Sequence, residues 1–76
     1  MTAKDIEKDI IKLHGYVIGN EDLSALLGFK TMGAFRQAIS RKKVPIKIFN
    51  IENRRGKFAL AKDVAQWLFK QRLTAE

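Results

Sequence analysis

No cysteine occurs among the 76 residues, which excludes a disulfide framework and any thiolate metal site. Histidine is nearly as scarce, and His14 alone cannot build a metal centre. The apolar runs fall far short of the roughly 20 residues that a membrane-spanning helix requires. The opening Met-Thr-Ala-Lys-Asp-Ile-Glu-Lys has no apolar secretory core, and Thr2 stands where myristoylation demands glycine. These absences predict a cytoplasmic, soluble chain with no membrane partner and no cofactor. No arrangement of nucleophile, base and carboxylate suggests catalysis, so the chain is not expected to be an enzyme. What remains is one small domain over residues 1–76, able to bury about 60% of its unfolded surface. A 46% apolar content with five Phe, one Trp and one Tyr is enough for a core.

Acid is missing from one stretch in particular. Between Lys30 and Lys57, nine bases (Lys30, Arg36, Arg41, Lys42, Lys43, Lys47, Arg54, Arg55 and Lys57) face only Glu52, a net +8. Met1 to Phe29 carries three lysines against five acids, −2, and Phe58 to Glu76 carries three bases against two acids, +1. The +7 of the whole chain is therefore concentrated rather than dispersed. Such a stretch fits a polyanion, and nucleic acid is the leading candidate.

Local patterns divide the chain into short elements. Thr2 and Asp5 have capping-box spacing, and Ile6, Ile10 and Leu13 recur at helical intervals, predicting a helix over about 3–13 closed by Gly15. Tyr16-Val17-Ile18 reads as extended. Asn20 offers an N-cap to a very short helix carrying Leu23, Leu26 and Leu27 and ending at Gly28. Thr31 caps a second helix, over about 32–41. Its apolar face holds Met32, Phe35, Ala38 and Ile39, and a second face about 100° away holds Gly33, Arg36, Gln37 and Ser40. Pro45 ends it. Residues 46–51 and 57–60 read as weak strands around an Asn53-Arg54-Arg55-Gly56 turn, which predicts a hairpin. A last helix starts near Ala61 and groups Val64, Trp67, Leu68 and Gln71, with Phe69 and Leu73 on a second edge. The fold class expected is mainly α with a small β-hairpin.

Leu-Ser-Ala-Leu-Leu-Gly at 23–28, Lys-Val-Pro at 43–45, Arg-Arg-Gly-Lys-Phe at 54–58 and Asp-Val-Ala-Gln-Trp-Leu at 63–68 form an ordered set. In that order and spacing the chain resembles the excisionase-type, MerR-superfamily winged helix-turn-helix proteins of phages and mobile elements, AlpA-like regulators among them. The resemblance spans roughly Ile18 to Leu73. It is similar also to pyocin-activator-like regulators, which share the Lys-Xaa-Pro exit and the closing Asp-Xaa-Ala helix. The resemblance implies a winged helix-turn-helix with a recognition helix over about 32–41 and a basic wing over about 50–58. It implies double-stranded DNA as partner, with self-association on DNA as a further possibility, and a role as architectural factor or transcriptional regulator. The chain departs from the family at Lys42, where many members have Gly, in a turn at 29–33 one residue longer, and in its added N-terminal helix.

Residue chemistry points the same way. Arg36 and Gln37 are types that pair bidentately with guanine and adenine edges, and Ser40, Arg41 and Lys43 extend their face. Gly33 would let the backbone approach DNA closely. Lys30 and Thr31, at a helix start, suit a phosphate. Arg54, Arg55 and Lys57 suit a wing on the phosphate backbone or minor groove, or simply a charged tip that keeps an edge strand soluble. Trp67 and Phe35 are expected in the core rather than as stacking platforms. The extra N-terminal helix is expected to complete the core, with a dimer contact as its alternative. A protein-interaction adaptor that keeps the fold without binding DNA is the competing function.

Overall fold

Thr2 opens the first helix as its spacing predicts. In the computed structural model, which describes residues 1–74, α1 runs over Ala3–His14. The Asp5 N–H donates to Thr2 Oγ1 (3.2 Å), and the Thr2 N–H donates back to Asp5 Oδ2 (2.9 Å). Gly15 ends the helix at φ +86°, donating its N–H to the Ile11 carbonyl. The buried stripe of α1 centres on Ala3, Glu7, Ile10 and His14, flanked by Ile6 and Ile11. Leu13 lies about 90° from that centre at 100° per residue. It is 77% exposed, against the expectation that it joins Ile6 and Ile10.

Strand β1 (Val17–Gly19) leads directly into α2 (Asn20–Leu26). The cap of α2 is Gly19, not Asn20 as expected; Asn20 is its first residue, at φ +51°, and turns its side chain elsewhere. At the far end the Phe29 N–H donates to the Ser24 carbonyl and the Gly28 N–H to Ala25, the paired bonds of a Schellman close, with Gly28 at φ +87°. Thr31 then caps α3 (Met32–Ser40), its Oγ1 accepting from the Ala34 N–H at 3.0 Å. Two helices joined by a five-residue turn result.

Beyond α3 the chain departs from the expected hairpin. Strand β2 (Phe58–Leu60) pairs antiparallel with β1, Val17 opposite Leu60 and Ile18 opposite Ala59. Residues 46–51 meet the returning strand only through a bridge between Phe49 and Phe58, two reciprocal N–H···O bonds of 2.9 Å. The two pairings use opposite edges of β2: Phe58 turns its N–H and carbonyl to Phe49, while Lys57 and Ala61 bond Asn20 and Tyr16 on the β1 side. Residues 46–51 are apolar on both faces, so no one register buries them and their pairing stops at one bridge. The protein is mainly helical with a two-stranded antiparallel sheet. Helix α4 (Ala61–Thr74) follows β2 without a break.

Because Val17 and Leu60 are paired, α1 enters and α4 leaves at the same end of the sheet, and the two helices pack antiparallel. The core gathers Ile10, Ile18, Leu23, Leu27, Phe35, Ala59, Ala61, Val64 and Ala65 from every element. Trp67 and Leu68 pack against it half-buried, so Trp67 borders the core rather than filling it, and Leu73 is exposed. The added N-terminal helix does complete the core, through Ile10.

Candidate nucleic-acid interface

Helix α3 is divided as its sequence pattern predicts. Phe35 is 1% exposed and packs on Phe29, ring centroids 5.5 Å apart, with Met32, Ala38 and Ile39 beside it. Gly33, Arg36, Gln37 and Ser40 are exposed. Anchoring through Phe35 therefore sets the direction in which Arg36 and Gln37 project. At the start of α3, Lys30 and Thr31 are exposed, and the first-turn amides of Met32 and Gly33 have no helical acceptor. A Cβ at Gly33 would meet only Thr31 Oγ1, at 3.7 Å, so packing within the chain does not require glycine there.

The end of α3 is built like the end of α2. Arg41 is the C-cap, the Lys42 N–H donates to the Ile39 carbonyl (3.0 Å), and the Lys43 N–H donates to Ala38 (2.8 Å). That is again the Schellman pair, and Lys42 occupies its left-handed position at φ +56°. The side chains of Arg41, Lys42 and Lys43 are all exposed, at the opposite end of the helix from Lys30 and Thr31, with Arg41 about 15 Å along the axis from Thr31.

Residues 50–57 form a loop with one internal backbone–backbone bond, from the Arg54 N–H to the Ile51 carbonyl (3.0 Å), and left-handed Asn53 and Gly56. Asn20 ties this loop to α2. Its N–H donates to the Lys57 carbonyl at 3.0 Å, and its Oδ1 accepts from the Lys57 N–H at 3.3 Å. A Cβ on Gly56 would overlap the Asn20 carboxamide, so glycine is needed there twice, for space and for φ. Local sequence marks Asn20 as a cap, and its true partner, 37 residues away, leaves no local trace.

Two clefts separate α3 from the loop. One, of about 230 Å³, is lined by Arg36, Ile39, Gly56 and Lys57 among others. The second, about 290 Å³, lies between Ile39 and Lys42 on one side and Ile48, Phe49, Asn50 and Lys57 on the other. Lys57 belongs to both and is half-buried, its Nζ donating to Asn50 Oδ1 at 3.0 Å. The structure thus brings Arg36, Lys42 and Lys57 to one surface, with exposed Arg54 and Arg55 just before Gly56. Among the described residues the one contact of ion-pair length joins His14 Nδ1 and Asp22 Oδ2, 3.7 Å apart, on other elements. No carboxylate among the described residues lies within 4 Å of a cation of this surface.

Among the described residues no group of three potential ligands can hold a metal, and no helix is long and apolar enough to cross a membrane. No family model matches the sequence, and no curated protein or solved structure matches it either.

Proposed function

We propose that the chain binds double-stranded DNA as a winged helix-turn-helix protein. In this reading α2 and α3 are the helix-turn-helix, α3 lies in the major groove, and the loop at 50–57 is the wing. One observation carries it: α3, its exit and the loop expose Arg36, Arg41, Lys42, Lys43, Arg54 and Arg55 beside half-buried Lys57, with no acid among the described residues paired to them. Arg36 and Lys57 line one cleft, Lys42 and Lys57 the next. Side chains that no described acid pairs with can meet external phosphates, and Arg36 with Gln37 can address base edges. Gly33, not needed for internal packing, leaves room for a close approach. The resemblance to excisionase-type and AlpA-like proteins adds the biological role, an architectural factor or transcriptional regulator of a mobile element.

Fluorescence anisotropy on a random duplex at low salt tests the reading. With about five phosphates neutralised, log K falls against log salt with a slope of roughly −4 to −5. A single strand of the same sequence binds more weakly. No duplex binding at micromolar protein would overturn the reading and favour an adaptor whose basic surface meets an acidic protein.

A further inference from the structure

Among the described residues three non-glycine residues have positive φ: Asn20 at +51°, Lys42 at +56° and Asn53 at +64°. Asparagine is among the few residue types that accept this conformation readily, and lysine is not. Lys42 is therefore the one of the three that sits in the left-handed region against its own preference. A helix end needing a left-handed residue takes glycine at no steric cost, as α2 does at Gly28. Attraction of a cation to the negative end of the helix does not account for lysine, since Arg41 and Lys43 stand on either side in undemanding positions. What distinguishes Lys42 is its placement. It lines the cleft whose opposite wall holds Asn50 and Lys57, and none of the described residues lining that cleft is acidic.

We propose that Lys42 and Lys57 form a two-lysine seat for a DNA phosphate, bridging the end of α3 and the loop. The strained backbone at Lys42 is retained because it places an ammonium group on the α3 side of that cleft. Asn50 holds Lys57 Nζ at 3.0 Å, so one half of the seat is already oriented in the free protein. The inference rests on the duplex-binding reading and adds to it a contact that backbone conformation, rather than charge alone, singles out.

The test separates stability from binding, because the two move in opposite directions. In Lys42→Gly the left-handed strain is relieved and the melting midpoint rises by about 4–8 °C. Random-duplex affinity nevertheless falls by about fivefold, and the salt slope shrinks by about 0.9, the value of one phosphate. Lys42→Asn, which also tolerates positive φ, gives the same loss of binding. Lys42→Arg keeps both the charge and the strain, so it retains wild-type affinity and slope. Unchanged affinity and slope in Lys42→Gly, with wild-type protein binding duplex normally, would overturn the seat and leave the DNA reading standing. Failure of the wild-type protein to bind duplex would instead remove both.

Discussion

Arg36 and the pair Arg54–Arg55 are exposed cations of the same type, yet their supports differ. Arg36 stands on a helix whose rotation is fixed by buried Phe35, so its side chain leaves the backbone in one direction. Arg54 and Arg55 stand on a loop held by one backbone bond, by the Lys57–Asn50 side-chain bond and by the Asn20–Lys57 contacts. A rigid mount suits base recognition, and a looser one suits phosphate. Arg36→Ala is expected to cost about 1–3 kcal/mol on a preferred site and much less on random duplex. Arg54→Ala or Arg55→Ala is expected to weaken both about equally and to lower the salt slope by about one. Binding to selected and random duplexes at several salt concentrations checks both. If Arg55→Ala altered sequence preference while Arg36→Ala did not, the loop would be the reader. None of the three changes should unfold the protein, since all three side chains are exposed.

Helix α1 offers a prediction at the scale of an element, because its start depends on an ionised carboxylate. The Thr2 backbone N–H donates to Asp5, and the Thr2 hydroxyl adds a second bond; together they hold the Asp5 carboxyl below its ordinary range. A carboxyl depressed in the folded state binds fewer protons there than in the unfolded chain. Its stabilisation is therefore complete above the ordinary aspartate range and is lost as pH falls through the depressed folded value. Asp5→Asn should flatten that acid limb, and Thr2→Val should raise the Asp5 titration toward its ordinary value; carboxyl chemical shifts against pH would show it. Helix ends of this kind were legible in the sequence because caps are local: Thr2, Thr31, Gly15 and Gly28 each act within a few residues. The two faces of α3 were legible too, from the period of Met32, Phe35 and Ile39. The sheet was not, because three-residue strands carry almost no pattern and β2 finds its partner across most of the chain. Nor was the role of Lys42, whose charge is visible in the sequence but whose backbone conformation is not.

For the whole molecule, the β1–β2 pairing places both α2–α3 and the basic loop between two strands that close on each other. Phe35, on which α3 is mounted, packs in a core that also needs Ile10 from α1 and Val64 from α4. A peptide of residues 20–57 should accordingly be largely unfolded by circular dichroism and should bind duplex no more tightly than a scrambled peptide of equal charge. Native-like helix content in that peptide would contradict the account. Long-range closure of this kind also orders events in time. During synthesis the basic segment emerges before β2 and α4 exist, and it cannot acquire its shape until residues 58–74 have left the ribosome. A nascent or prematurely terminated chain would then carry the full positive charge of the segment without its geometry, so shape-dependent recognition begins only once the closing strand and helix have been made.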